Sequence, residues 1–242
     1  MPTSSRSSLP EQLDTPLDLA PLTDESLQAL RNLASHVPHS STEPCPESVP
    51  AFRRAAVLLG IFGSRKGELY VVLSERSSKL RSHGGDTAIP GGRFEVTDAD
   101  LEATARREAW EEVGLPINFK KVRKLCELQP FLSANELVVT PIVVLLLDPM
   151  IKPHLNPQEV SRIFSLPLKA FLQHSPDADL RLALRLGAPP SEEEEATSAA
   201  MPWSEVSGPS DWHTCRDVRW FDKRCRRHTF WDRRNPVRGL TR

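Results

Sequence analysis

The sequence has few of the features that mark secreted, membrane-spanning or nucleic-acid-binding proteins. Its four cysteines are few and irregularly spaced for a chain of 242 residues, which indicates reduced thiols rather than a disulfide framework. The formal net charge of −1 favours neither a nucleic-acid binder nor an acidic tail protein. No apolar run reaches the length needed to cross a membrane, since Thr140 and Pro141 interrupt residues 137–147. We therefore expect a soluble, intracellular protein with no membrane or nucleic-acid partner.

The two ends of the chain contain no targeting signal that we recognise. The N-terminal segment includes Arg6 but no apolar core, and it soon becomes acidic, unlike a transit peptide. The last three residues, Leu240 to Arg242, differ from a peroxisomal tripeptide of the S-K-L kind.

Composition divides the chain into four parts. Residues 1–50 combine a segment expected to be disordered, a short helix and a proline-rich linker. Residues 51–187 contain the patterns of a folded domain, and residues 188–210 form an acidic, low-complexity insertion. Residues 211–242 are expected to supply strands that complete the domain.

Apolar periodicity predicts the elements. Leu27, Leu30 and Leu33 recur at helical spacing in a segment that Thr23 or Asp24 can cap. Strands are predicted at residues 55–62, 69–73, 122–128 and 137–147, and a short helix at residues 166–173. Strands on both sides of one well-specified helix favour an α+β or α/β domain.

The most informative stretch is a glycine pair, Gly91-Gly92, followed by a helix with three carboxylates. Glu108, Glu111 and Glu112 stand at i, i+3 and i+4, so they point to the same side of that helix. Like charges at this spacing repel one another, whereas a hard divalent cation is bound by carboxylate oxygens. The alternative is a solvated acidic face, which the flanking glycines and the neighbouring Arg107 disfavour. A capping pattern at Thr97 and Asp100 and a glycine exit at Gly114 delimit the helix.

This stretch resembles the Nudix box, the signature of hydrolases that split diphosphates linked to another moiety. The second half of the box, R-E-U-x-E-E-x-G-U with U an apolar residue, is complete from Arg107 to Leu115. The first half departs from the signature: one extra residue separates Gly92 from Arg107, and Ala99 replaces a glutamate. The longer box is similar to that of the coenzyme A diphosphatase branch, which has acids at the positions of Glu95 and Asp98.

A second motif, immediately upstream, is similar to the same branch. Residues 73–86 follow the pattern L-x-x-R-S-x-x-L-R-x-H-x-G-[EDQ] and lead into Pro90-Gly91-Gly92. Thr87 and Ile89 depart from the usual Val and Phe. The resemblance covers roughly residues 53–172 and includes the Asn156–Val160 stretch.

The resemblance implies a fold and a set of site residues. The fold is the Nudix α/β/α sandwich with a mixed central sheet. Mg²⁺ or Mn²⁺ would be bound by Glu108, Glu111, Glu112 and the carbonyl of Gly91 or Gly92. Substrate phosphates would contact Arg76, Lys79, Arg81, His83 and Arg93, although a generic basic loop is the alternative and His83 is equally consistent with a buried turn residue.

Two further roles follow from the resemblance. Arg107 would pair with Asp98 or Glu95 and hold the loop against the helix. The general base stays open between Glu112 and Glu159, and Glu159 is also consistent with a solvated loop acid.

The implied activity is hydrolysis of coenzyme A or acyl-CoA to 3′,5′-ADP and (acyl-)4′-phosphopantetheine, in a peroxisome or a mitochondrion. Other nucleoside diphosphate derivatives (oxidised nucleotides, NADH or mRNA caps) are alternative substrates. A non-catalytic Nudix-fold binding module is a third alternative, which the intact glutamates disfavour.

Two features near the C-terminus complete the expectations. His213, Cys215, Cys225 and His228 contain zinc-binding atoms, but their spacing matches no zinc motif, which favours coincidence. In the family, a stretch resembling residues 237–241 opens a final helix, and this sequence stops at Arg242. We therefore expect one apolar face of the sandwich to be partly uncovered and the protein to be prone to association.

Overall fold

The computed structural model describes residues 21–38, 46–80, 82–133, 135–173, 175–184, 212–220, 223–231 and 236–241. The predicted disordered start (except residue 21), the whole acidic insertion and Arg81 lie outside the described residues. The helices are α1 (Asp24–Ala34), α2 (Leu101–Val113) and α3 (Ala178–Ala183). The strands are β1 (Arg54–Gly63), β2 (Leu69–Arg76), β3 (Thr87–Ala88), β4 (Gly91–Arg93), β5 (Val122–Glu127), β6 (Phe131–Leu132), β7 (Val138–Leu146), β8 (Val160–Pro167), β9 (His213–Trp220), β10 (Lys223–Phe230) and β11 (Val237–Thr241).

The first eight strands form one mixed sheet, as expected. Its main path runs β3-β2-β1-β7-β5, with β4 on β1, β6 on β7 and β8 on β2. β1 and β7 are parallel at the centre, from Arg54 opposite Val138 to Ile61 opposite Leu145. The other pairs in this sheet are antiparallel. All of β7 is buried, which is typical of a strand covered on both faces.

Helices lie on both faces of this sheet, which gives the three layers of a sandwich. On one face α2 packs its buried Ala105, Ala109 and Val113 against Leu58 and Ile142. Because side chains alternate along a strand, the neighbouring residues of β7 point to the opposite face.

The opposite face of the sheet is also covered. Leu30 of α1 packs there against Val143 and Leu145 of β7, and all three are buried. Farther along the same face, Leu180 of α3 and Trp212 cover β2 and β8. In the described part of the chain, these residues bury that face.

The last three strands form a separate antiparallel sheet in the order β11-β10-β9. Trp212, at its start, is 1% exposed and donates its indole N–H to the carbonyl of Ala170 at 2.8 Å. Phe230 packs edge-to-face on Phe171 with ring centroids 4.9 Å apart. These contacts join the C-terminal sheet to the core beside β2 and β8.

Two local predictions are wrong. The helix predicted at residues 166–173 is instead the end of β8 followed by a 3-10 turn, Leu168–Leu172. Leu166 pairs with Val71 of β2, so sheet hydrogen bonding prevails over local helical pattern. At the start of α2, Asp100 caps the helix rather than Thr97, since its side chain accepts a hydrogen bond from the Ala103 N–H at 2.7 Å.

Candidate active site

The residues of the box lie on helix α2 and strand β4, which contact each other. Asp100 caps the start of α2, and Gly114 ends it with a left-handed φ of 66°. Glycine takes this backbone conformation without the steric cost that other residues have. The apolar side of α2 is held by the sheet, so its carboxylates face the loop around β4.

The two glycines of β4 allow a close approach of the backbone. A Cβ atom on Gly91 would lie 2.4 Å from the carbonyl oxygen of Ala56, and one on Gly92 would lie 2.3 Å from Oε1 of Glu108. Both distances are too short for a side chain. Gly91 therefore permits the pairing of β4 with β1, and Gly92 makes room for the Glu108 carboxylate.

The three glutamates differ in environment. The Glu112 side chain is 9% exposed, Glu108 is 17% exposed, and Glu111 is 51% exposed. Burial raises the pKa of Glu112 to about 7, and the negative charge of Glu108 adds to this rise. The Gly91 N–H, which donates a hydrogen bond to Glu112 Oε2 at 3.3 Å, opposes the rise. Burial also raises the pKa of Glu108, against the effect of Arg107. Without a bound cation, the buried Glu112 and the partly buried Glu108 therefore ionise reluctantly.

Arg107 links the loop to the helix. Its Nε donates to Asp98 Oδ1 at 2.9 Å and one terminal nitrogen donates to Asp98 Oδ2 at 3.0 Å. The other terminal nitrogen donates to Glu108 Oε1 at 2.9 Å and to Glu111 Oε2 at 3.4 Å. The bidentate pair lowers the pKa of Asp98 to about 2. Glu95 lies farther from the guanidinium, at 3.6 Å, so Asp98 is the main partner of Arg107.

The two candidates for the general base lie near each other. Glu159 is exposed, and its negative charge contributes to the raised pKa of both Glu108 and Glu112. The loop of Glu159 is held in place by two backbone hydrogen bonds, from Asn156 N–H to the Glu112 carbonyl at 3.0 Å and from Ser77 N–H to the Glu159 carbonyl at 2.8 Å. The choice between Glu112 and Glu159 stays open.

Arg76, a basic residue of the upstream motif, lies next to this site. A terminal nitrogen of Arg76 lies 4.0 Å from Glu112 Oε1, and its Nε is buried without a hydrogen-bond partner among the described residues. Such a nitrogen is suited to an anionic ligand. Paired backbone hydrogen bonds, Arg76 N–H to Asp86 and Gly85 N–H to Arg76, both 2.9 Å, close the loop between them.

The other predicted phosphate-binding residues have different positions. His83 has a positive φ of 55°, and its Nδ1 lies 3.1 Å from Asp86 Oδ2. Its side chain is 60% exposed, so it is not a buried turn residue. Lys79 and Arg93 are exposed, and the Arg93 carbonyl accepts a hydrogen bond from Arg107 at 3.1 Å.

No three His, Cys, Asp or Glu side chains in the described part of the chain lie close enough together to hold a metal ion. Glu108 and Glu111 both contact Arg107, whereas Glu112 contacts Gly91. The chemistry of the set nevertheless fits Mg²⁺ or Mn²⁺, because hard cations bind carboxylate oxygens and a cation would offset the burial and the nearby negative charge that raise the pKa of Glu112. The predicted ligand set stays a prediction.

Two of the four residues with zinc-binding atoms, His213 and His228, contact each other directly. His213 Nε2 lies 2.9 Å from His228 Nδ1, and the two rings are stacked. Cys215 is exposed and Cys225 is buried. This arrangement is a histidine pair within the C-terminal sheet.

Comparison with known proteins gives a match to the NUDIX domain family over residues 51–186. The chain is 43% identical over 122 residues to "Nudix hydrolase 15, mitochondrial" of Arabidopsis thaliana, covering 50% of this chain and 42% of the relative. It is 33% identical over 180 residues to "Peroxisomal coenzyme A diphosphatase 1, peroxisomal" of Saccharomyces cerevisiae, covering 64% of this chain and 53% of the relative. It is also 39% identical over 109 residues to "Peroxisomal coenzyme A diphosphatase NUDT7" of Mus musculus, covering 45% of each.

The chain thus spans about half the length of these relatives. No helix among the described residues is long and apolar enough to span a membrane. The family match covers more than half of the chain, and the capped glutamate helix, the glycine strand and the mixed sheet agree with it. The chain belongs to the Nudix hydrolase family.

Proposed function

We propose that this protein is a metal-dependent diphosphatase that hydrolyses coenzyme A or acyl-CoA to 3′,5′-ADP and (acyl-)4′-phosphopantetheine. The main support is the position of Arg76, a residue of the upstream motif, whose terminal nitrogen lies 4.0 Å from Oε1 of the buried Glu112. A cationic loop and an acidic helix therefore meet at one place, as a site for a charged diphosphate needs. Two relatives named as coenzyme A diphosphatases add support.

The reaction adds one water across the diphosphate. A water oxygen forms a bond to one phosphorus atom of the diphosphate, the bond from that phosphorus to the bridging oxygen breaks, and each product keeps one of the two phosphates of the diphosphate. A carboxylate would accept the proton that the water loses, and Glu112 and Glu159 are the candidates. A group whose pKa lies near the operating pH is efficient in this role.

Bound Mg²⁺ or Mn²⁺ would neutralise phosphoryl charge and lower the pKa of a water. In this proposal Glu108, Glu111 and Glu112 would hold the ion, with a carbonyl of Gly91 or Gly92 as a further ligand. Arg107 would keep the carboxylates of Glu108 and Glu111 in place.

Coenzyme A has a 3′-phosphate in addition to its diphosphate, so its site needs extra cationic donors. Arg76, Lys79, His83 and Arg93 would supply them, and Arg81 belongs to the same motif. Guanidinium groups bind phosphate bidentately, and the Nε of Arg76 has no hydrogen-bond partner among the described residues.

A substrate panel with Mg²⁺ and Mn²⁺, with products identified by mass, tests the proposal. We expect coenzyme A to give 3′,5′-ADP and 4′-phosphopantetheine, and to exceed 3′-dephospho-CoA in kcat/KM by roughly tenfold or more, the effect of one charge-assisted contact. The E111Q variant is the inactive control. Equal rates for the two compounds, or a preference for NADH or an oxidised dNTP, would contradict the coenzyme A proposal. Binding of diphosphates without any hydrolysis would indicate a binding module.

A further inference from the structure

The C-terminal sheet reaches the loop that carries the phosphate-binding motif. Strand β11 lies beside β3, which directly follows that loop. A terminal nitrogen of Arg238, the second residue of β11, lies 4.0 Å from Asp86 Oδ1. Asp86 also contacts His83 and closes the loop against the backbone of Arg76. One carboxylate therefore joins Arg238 to the cationic loop.

The position of Arg238 is set by packing rather than by this ion pair alone. Val237, its neighbour, and Phe230, which is paired with Val237 across the strands, both pack on the cluster around Trp212 and Leu73. This apolar contact fixes the end of the sheet at which Arg238 lies. The guanidinium is thus positioned at the loop by the packing of two partly buried side chains.

The Arg238 side chain is also open to a ligand. It is 52% exposed, and the Asp86 side chain is 48% exposed. A separation of 4.0 Å is longer than a direct hydrogen bond, so a phosphate can accept the guanidinium donors with little rearrangement. Beside the loop, Thr87 Oγ1 is buried with no hydrogen-bond partner among the described residues.

We infer that Arg238 is a specificity-determining residue that binds the phosphate of the substrate lying outside the scissile diphosphate. This inference rests on the proposed function, for which that group is the 3′-phosphate of coenzyme A. The C-terminal sheet then forms one wall of the substrate site. The motifs of the box and of the upstream loop do not include this residue.

The test compares R238Q and R238K with a matched control, R224Q. Arg224 belongs to the same sheet but pairs with Arg219 near the far end of the β9–β10 hairpin, whereas Arg238 pairs with Thr229. Arg224 and Thr229, the partner of Arg238, are five positions apart along β10, which is roughly 17 Å and exceeds the screening length of about 8 Å at physiological ionic strength. Both are exposed enough that stability should change little, and thermal unfolding checks this.

Two measurements are made on each variant. For turnover, we expect R238Q to lower kcat/KM for coenzyme A by roughly tenfold or more, to leave 3′-dephospho-CoA unchanged and so to remove the preference between them. R224Q should stay within about twofold of the wild type, and R238K should fall between. For binding, calorimetry with adenosine 3′,5′-bisphosphate should show the same loss of affinity in R238Q.

The binding measurement separates the two proposals. If coenzyme A is not hydrolysed but R238Q alone weakens bisphosphate binding, the proposed function fails and the assignment of Arg238 stands. If coenzyme A is hydrolysed and R238Q behaves like R224Q in both measurements, the assignment of Arg238 is overturned and the proposed function stands. An absence of bisphosphate binding to the wild type also overturns the assignment.

Discussion

At Glu112 a negative charge is placed where water is largely excluded. Its side chain is 9% exposed. The Gly91 N–H donates one hydrogen bond to it, and an ionised carboxylate can accept several. Glu108 and Glu159 add negative charge nearby. Such an environment favours the protonated form of Glu112 unless a cation is bound. The ionised form that metal binding requires therefore lowers the stability of the folded protein when no cation is bound.

We predict that E112Q is more stable than the wild type at pH 8 in the presence of a chelator. The pKa of Glu112 is raised from 4.5 to about 7, so the stability it contributes is present below pH 4.5 and is lost as pH rises through 7. At about 1.4 kcal/mol per pKa unit, the loss is up to ~3 kcal/mol. Urea unfolding from pH 5 to 8 measures it. E111Q, at a half-exposed position, should follow the wild type; an identical pH dependence for E112Q and the wild type would refute the argument.

The same two variants should lose turnover. Replacing Glu111 or Glu112 by Gln removes a charge that the proposed metal site needs, so we expect kcat to fall by several orders of magnitude with Mg²⁺ or Mn²⁺. Product formation followed by mass measures the effect. Near-normal activity in both variants would exclude the proposed metal site.

Asp98 has the opposite pH dependence. Because its pKa is lowered from 3.8 to about 2, its stabilisation is present above pH 3.8 and is lost as pH falls through 2. We predict that D98N lowers the free energy of unfolding at pH 7 by about 1 kcal/mol, allowing for solvent screening. Denaturation at pH 7, 4 and 2.5 should show the difference shrinking with acidity. A difference that grows towards pH 2.5 would contradict the assignment.

At the scale of elements, the box helix could be predicted because its signals are local. The capping residues, the glutamate spacing and the glycine exit all lie within residues 100–114. The predicted strands at residues 55–62 and 137–147 agree closely with β1 and β7. The short strands β3 and β4 and the strand β8 were not predicted, because their pairing partners on β1 and β2 are distant in the sequence.

We predict that G92A lowers kcat by roughly a hundredfold, the effect of misplacing a catalytic group by about 1 Å. The new Cβ would lie 2.3 Å from Glu108 Oε1 and would displace that carboxylate. G239A is the matched control, because its Cβ would meet nothing within 4 Å. Initial rates and circular dichroism are measured for both. Equal activity in the two variants would show that the position of Glu108 is not critical.

On the scale of the whole molecule, Trp212 connects the C-terminal sheet to the core. It is 1% exposed and shares a cluster with Val71 and Leu73 of β2. We predict that W212A lowers the free energy of unfolding by about 3–5 kcal/mol and makes β9–β11 sensitive to limited proteolysis. W110A, at a position 47% exposed, should change stability far less. Equal unfolding midpoints for the two variants would show that the anchor is not Trp212.

The sequence by itself determined the composition of the candidate site. The spacing of Glu108, Glu111 and Glu112 on one helix depends only on helical geometry, and the Arg107 pair joins residues nine positions apart, within one loop and helix turn. Such contacts close only a short loop and cost little loop-closure entropy, so the local sequence pattern is sufficient to predict them.

Only the tertiary structure decided which distant groups surround that site. Arg238 meets Asp86, and the loop of Glu159 meets Ser77, across separations that no spacing rule covers. Trp212 is buried because the 3-10 turn Leu168–Leu172 provides its hydrogen-bond acceptor and, together with α3, apolar neighbours. The physical reason is that a side chain's exposure, its pKa and its partners depend on everything packed around it, and long-range packing is settled by the fold as a whole.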